Sequence, residues 1–343
     1  MPTDLVPHDL TSYTSHPPFV PSASSEAAGG AWAAWFAFDG GPNQWISGSG
    51  VFLDSWLQMD LGVAAVAGSY ALASPGGAVA PKTWHLYGSN DGVNWSLLDI
   101  RNNEAAWATP ETRTYTCLVA ASAYRYFRLA FYANNGDGQY IQITEVNLFQ
   151  GTASGSALVE LGPHNLTSDT SQSPFVVSAS SNNGSWPEWH AFEGSAGAGW
   201  ATANGTTTGW LQIDLGSAKT LGSYAIQGTS DTPQAPNTFT MEGSNDGATW
   251  TTVDTRAGQT WGAYETKLFT CTSPGSYRYY RLNTTLNNGG QYVQVAELSL
   301  FEGVAPTGTP QTITFAAIAD HVATDAPFVL APTSTSGPRS LLP

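Results

Sequence analysis

Pro81-Lys-Thr-Trp-His-Leu-Tyr-Gly-Ser-Asn-Asp-Gly-Val-Asn-Trp95 decides the fold, because it occurs a second time, as Pro236-Asn-Thr-Phe-Thr-Met-Glu-Gly-Ser-Asn-Asp-Gly-Ala-Thr-Trp250. The shift is 236 − 81 = 155 residues. Each copy reads as a strand, a tight Ser-Asn-Asp-Gly turn and a second strand. Asn, Asp and Gly accept the positive φ such turns demand. Asn90-Asp91-Gly92 is a turn and not an EF-hand, which needs further acids at alternate positions and a closing Glu.

Outward from this stretch, the two halves match in order. Pro18-Phe-Val20 matches Pro174-Phe-Val176, and Trp32-Ala-Ala-Trp-Phe-Ala-Phe-Asp-Gly40 matches Trp186-Pro-Glu-Trp-His-Ala-Phe-Glu-Gly194. Trp56-Leu-Gln-Met-Asp-Leu-Gly62 returns as Trp210-Leu-Gln-Ile-Asp-Leu-Gly216, and Tyr124-Arg-Tyr-Phe-Arg-Leu129 as Tyr277-Arg-Tyr-Tyr-Arg-Leu282. The closing segments 139–149 and 291–301 also match. Leu57, Met59 and Leu61 alternate with polar neighbours, as do Ile141 and Ile143, with Glu145 and Phe149 expected on the same face. No long segment has a helical period. The expected fold is all-β: an antiparallel β-sandwich or barrel over residues 1–151, its repeat over 157–303, and a Pro-rich linker with a truncated β tail over 304–343. Strands are expected at 311–315 and 326–331 of the tail.

The chain has 343 residues, 26 acidic and 11 basic, for a net charge of −15. That field repels phosphate backbones and excludes nucleic acid as a partner. No run of 18 apolar residues crosses a membrane, and the N-terminus lacks the basic start and apolar core of a secretory signal. Cys117 and Cys271 hold equivalent places, one per copy, so neither copy can close a bridge within itself; buried thiols are expected. No serine-hydrolase elbow, zinc-protease helix, phosphate loop or dinucleotide fingerprint is present.

Five motifs in order, twice over, resemble the discoidin, or coagulation factor V/VIII C-type, domain, which is similar to the family 32 carbohydrate-binding modules. They are Trp-x-Ala-Phe-Asp-Gly, Trp-Leu-Gln-x-Asp-Leu-Gly, Gly-Ser-Asn-Asp-Gly-x-x-Trp, Tyr-Arg-Tyr-x-Arg-Leu and the closing Glu-x-x-Leu-Phe. The resemblance implies two tandem antiparallel jelly-roll β-sandwiches that bind glycans with loops at one end and perform no chemistry. The tail looks like the opening of an immunoglobulin-like repeat. The resemblance also implies a structural calcium (Ca2+) near the Asp-Gly loop, with Asp39, Asn43 and Glu145 in copy one. Copy two offers Glu193 and Glu297 but Ala198 where a third side chain would stand, so the first domain is the stronger candidate. Arg125 or Arg128 paired with Glu145 is the alternative to a metal.

A sugar site needs an aromatic plate and planar amides. Trp32 and Trp186 each follow a Gly- or Asn-rich stretch and read as plates or as lids on the core. Trp107 and Trp261 recur before a strand and read as plates or as packing across the sandwich end. Asn134, Asn135, Asn287 and Asn288 lie in loops preceding the final strand, where amides can read hydroxyls or simply make turns. Trp35, Trp45, Trp56, Trp95, Trp189, Trp200, Trp210 and Trp250 read as core. Arg128 and Arg281 are expected to stack on aromatics, and His8 and His164 to be satisfied or surface histidines. The function expected on this basis is non-catalytic binding of cell-surface glycans, as a phage virion component such as a tail-fibre, receptor-binding or head-decoration protein reached without a signal peptide. The alternative is an assembly or decoration module whose C-terminal tail pairs with a neighbouring subunit or another virion protein.

Overall fold

The computed structural model describes residues 3–28, 30–119, 122–152, 158–197, 199–303, 313–314 and 333–334. In the first half, β1 (Val20–Ala23), β3 (Ser55–Ala65), β8 (Tyr124–Asn134), β5 (Pro81–Ser89) and β6 (Ser96–Arg101) pair in that order as one antiparallel sheet. Opposite it lie β10 (Glu145–Gln150), β4 (Ala67–Ser74) and β7 (Glu111–Thr116). The short strands β2 (Trp45–Ile46) and β9 (Gln142–Ile143) pair beside them.

The second half repeats this plan. β11 (Val176–Ala179), β13 (Gly209–Gln227), β17 (Ser276–Asn287), β14 (Pro236–Ser244) and β15 (Thr251–Arg256) form the larger sheet. The far half of β13 crosses to the smaller sheet and pairs with β16 (Thr266–Thr270) and β19 (Glu297–Glu302). β12 (Trp200–Ala201) pairs with β18 (Gln294–Val295). In the tail, β20 (Ile313–Thr314) pairs with β21 (Thr333–Ser334). The rest of the tail, including 311, 312, 315 and all of 326–331, lies outside the described residues.

Two-residue alternation places each core. Leu57, Met59 and Leu61 are buried, as are Trp45, Trp84 and Phe131. Trp84 donates its indole N–H to Tyr70, whose hydroxyl donates to Asp99, which Arg101 also holds. Tyr224, Asp254 and Arg256 repeat the motif. Cys117 and Cys271 are free and buried, and burial pushes both thiols up to about 12.

Two readings of faces are corrected. Thr144 leaves the ladder to bond Ala73, so alternation restarts at β10. Val146 and Leu148 therefore face the core, not Glu145 and Phe149. Trp56, Trp95, Trp210 and Trp250 are half-buried on the outer face of the larger sheets, where Arg128 stacks on Trp56 and Trp95 and Arg281 on Trp250. An outer-face indole keeps its alternation but not its burial. Trp35 and Trp189 are also only half-buried, whereas Trp45 and Trp200 are core.

The outer face of the first larger sheet packs on the second sandwich's smaller sheet. Leu97, Tyr87 and Ile100 meet Ala225, Leu268 and Phe301. Leu97 and Phe301 are fully buried there, and a leucine or phenylalanine so removed from water contributes about 1.5–3 kcal/mol. Polar contacts fix the register. His85 Nε2 meets Thr266 Oγ1 at 2.9 Å, and Asn102 exchanges two hydrogen bonds with the Thr266 backbone. Asp54 Oδ1 accepts from the Ala196 backbone N–H at 2.8 Å. The corresponding outer face of the second sandwich is polar: Thr252, Thr255 and Thr285 are exposed where Leu97, Ile100 and Tyr132 stand in the first.

Candidate functional site

At one end of each sandwich the loops converge. In the second copy, Asn288 N–H bonds Ala235 O, Gly290 N–H bonds Pro233 O, and Ala201 N–H bonds Trp186 O. This ties the loops around 186, 202, 233 and 290 into one rim. Trp186 lies on the rim, half-buried, edge-to-face with Tyr292 at 6.3 Å between ring centroids. The Asn183 side chain holds the Trp186 backbone N–H at 2.9 Å, and Gln234 Oε1 holds the Tyr292 N–H at 3.0 Å. Asp231 is exposed beside them, and burial and its charge together raise the Tyr292 hydroxyl's pKa. Two aromatic surfaces and an exposed carboxylate, whose Oδ2 accepts from Gln234 Nε2 at 3.3 Å, thus share one edge.

The first copy has the same rim in simpler form. Trp32 and Tyr140 are half-buried, and Ile46 N–H bonds Trp32 O. Asp137 Oδ1 is taken up by the Gln139 and Tyr140 backbone N–H groups, and Gly76 stands where the second copy has Asp231. Tyr140, Tyr292 and Asp231 were not singled out from the sequence. The recurring Gln-Tyr pair at 139–140 and 291–292 was the available signal.

Trp107 and Trp261 are not plates. Both are buried, and each indole N–H is spent on a backbone carbonyl, Pro81 O at 2.8 Å and Pro236 O at 2.7 Å. Arg113 and Lys267 cover their rings. The four asparagines are braces. Asn134 Nδ2 donates to Tyr140 O and Asn287 Nδ2 to Tyr292 O, while Asn135 and Asn288 clamp Ala80 and Ala235 carbonyls. Their amides are occupied inside the rim, and they shape it without presenting to a ligand.

The carboxylates read as calcium ligands do not converge. Glu145 bonds His8 at 2.6 Å and accepts the Gly40 backbone N–H at 3.0 Å. Asp39 accepts from the Gly41 N–H and from Asn43. In the second copy, Glu297 takes His164 and the Gly194 N–H, and Glu193 takes His190. Among the described residues no group of three His, Cys, Asp or Glu side chains gathers as metal ligands do. Each of these carboxylates is already taken by an imidazole or by N–H donors of this chain, and so arranged they do not fit calcium. Neither Arg125 nor Arg128 pairs with Glu145; Arg125 holds Asp60.

Instead, each late Glu is neutralised by a histidine from the start of its own domain. Asp4 and Glu145 hydrogen-bond His8 and raise its pKa to about 10, so it is an imidazolium at neutral pH. Burial opposes the charge on His164, but Glu160 and Glu297 overcome it and raise its pKa well above the ordinary value. Gly40 is required at the turn: its φ is +65°, and a Cβ there would lie 2.4 Å from His8 O.

Comparison with curated proteins finds no significant match. Among solved structures, a fucolectin from striped bass (Morone saxatilis) serum matches with TM-score 0.34 at 15% identity, covering 84% of this chain and 97% of that one. A family 32 module from C. perfringens NanJ in complex with galactose matches with TM-score 0.33 at 24% identity over 37% of this chain and 93% of its own. A chitosan-binding module from a Paenibacillus chitosanase/glucanase matches with TM-score 0.32 at 25% identity, covering 41% of this chain and 97% of that one. The family model for the F5/8 type C domain matches residues 21–146 and 176–298, one segment in each sandwich. With the motifs, the doubled sandwich and that match in agreement, this chain belongs to the F5/8 type C, or discoidin, family.

Proposed function

We propose that this protein binds glycans without making or breaking bonds, and that the contact surface is the rim of each sandwich. The observation that carries this reading is the half-exposed pair Trp186 and Tyr292 with Asp231 beside it. An aromatic face takes the apolar face of a sugar ring, and a carboxylate accepts from two adjacent hydroxyls. The rim is braced from beneath by Asn287, Asn288 and Gln234, so little order is lost on binding. Family membership supports the same reading, because discoidin-type domains are similar to carbohydrate-binding modules.

A glycan array probed with the full chain tests it. Binding to neutral glycans that falls in Trp186→Ala is expected; a folded protein that binds no glycan overturns it. Two rims on one chain raise avidity for a multivalent surface. Service on a phage virion, at a tail fibre or head surface, is the finer part of this proposal. It is tested by looking for the chain in purified particles and by competing particle attachment with the isolated protein.

A further inference from the structure

Arg128 and Arg281 are the same residue of the repeat in two settings. Arg281 pairs with Glu242 and stacks on Trp250, 4.1 Å from the ring centroid. The strand register places Glu242 opposite Arg281 and Tyr87 opposite Arg128. Tyr87 turns its hydroxyl to His85 and Tyr132 and supplies no anion. Arg128 donates through Nε and Nη2 to a neutral acceptor, Gln58 Oε1, at 3.1 and 2.8 Å. Its guanidinium carbon lies 4.3 Å from the Trp56 centroid and 3.9 Å from that of Trp95. Among the described residues it has no ion-pair partner, and its Nη1 has no hydrogen-bond acceptor.

This cation borders a cleft of about 560 Å³ between the sandwiches. Asn94 and Trp95 line its near side; Glu160, Gln172 and Phe175 line the far side. His164 holds one carboxylate oxygen of Glu160, Oε1, and the other, Oε2, is buried without a hydrogen-bond partner. Burial pulls the Arg128 pKa down to about 10, which leaves it charged at neutral pH. A partly desolvated cation without a counter-charge is costly, and a planar guanidinium held by two indoles has its remaining edge fixed in space. That edge fits a carboxylate in forked geometry.

We propose that this cleft is a second binding site, separate from the rims, which takes the carboxylate of an acidic sugar such as a uronic or sialic acid. The carboxylate sits on the free Nη1–Nη2 edge of Arg128 and the sugar ring lies against Trp95. The second copy cannot do this, because Glu242 already occupies Arg281.

The test is calorimetric titration of the full chain with glucuronate and with N-acetylneuraminate, beside glucose as the neutral control. An acid is expected to bind and glucose not to bind at this site. Arg128→Gln is expected to weaken acid binding about tenfold or more, the scale of a charged hydrogen bond. Val93, exposed on the lip of the cleft, supplies a variant outside the packed interface. Val93→Asp places a negative charge at the entrance and is expected to weaken binding of the acid in a salt-dependent way. Trp186→Ala should leave it unchanged. The proposal falls if neither acid binds, if the acids bind no better than glucose, or if folded Arg128→Gln keeps its affinity. If Arg128→Gln does not fold, unchanged binding in Val93→Asp overturns it. Loss of acid binding in Trp186→Ala would place the acid at the rim and also overturn it. The rim reading fails separately, through absent neutral-glycan binding.

Discussion

Asp54 of the first sandwich accepts a hydrogen bond from Ser195 Oγ of the second at 2.7 Å. The same carboxylate takes the Ala196 and Gly197 backbone N–H groups at 2.8 and 3.3 Å. Asp54 holds a φ of 60°, unusual for a residue with a Cβ. The first domain thus reaches into the loop that follows Gly194, the counterpart of its own Gly40 turn. Asp54→Ala takes this acceptor from Ser195 Oγ and the Ala196 N–H, while the Gly197 N–H keeps Ser195 Oγ at 3.2 Å. It is expected to cost about 1–3 kcal/mol, the scale of buried groups left unsatisfied. Calorimetry should show a lowered, broadened transition as the two sandwiches uncouple. An unchanged melt would show the contact to be energetically idle.

The His8 cluster makes stability depend on pH in a definite direction. The folded pKa of about 10 lies above the ordinary 6.5. Folding therefore gains from the bound proton fully below about pH 6.5, and the gain is lost as pH rises through about 10. Urea midpoints should fall between pH 7 and pH 10.5, and His8→Gln should flatten that slope. An imidazole titration by NMR with an ordinary midpoint would contradict the cluster.

Chelation should not unfold the protein. The Asp39, Glu145 and Glu297 oxygens already accept from N–H groups and imidazolium, so no cage awaits a cation. EDTA and added calcium are expected to give the same melting temperature. A rise of several degrees with calcium would mean that His8 or His164 yields its carboxylate to the metal.

Trp107 and Trp186 should separate core from contact surface. Trp107→Ala empties a buried site and is expected to destabilise by about 3–5 kcal/mol. Trp186→Ala should change stability little but weaken glycan binding about tenfold, the scale of a hot-spot truncation. Thermal melts and glycan titrations on both variants give the comparison. The opposite pattern would exchange their roles.

Strands were legible wherever alternation ran unbroken, as at Leu57, Met59 and Leu61. It misled at Glu145, because the step at Thr144 resets the face and has no side-chain signature. Trp107 and Trp261 recur like ligand plates, yet what decides their role is a backbone carbonyl across the sheet, which no spacing shows. Asn134 and Asn287 had the right loop and the wrong task, since turn chemistry and sugar recognition use the same amide. Asp231 was hidden because its counterpart is Gly76, and a feature present in one copy drops out of a search for repeats. The interface was hidden for the same reason. Leu97 against Thr252 and Tyr132 against Thr285 would have marked it, had the differences between the copies been read as closely as the matches.

Those differences also set how far the pattern can grow. Sheet-on-sheet stacking of a module onto its own copy is head-to-tail, and such contacts extend without limit unless something stops them. Here the first module carries the greasy side and the second turns threonines to water at the same positions. Stacking through this face therefore meets no matching apolar surface on the second module, and the same contact does not repeat there.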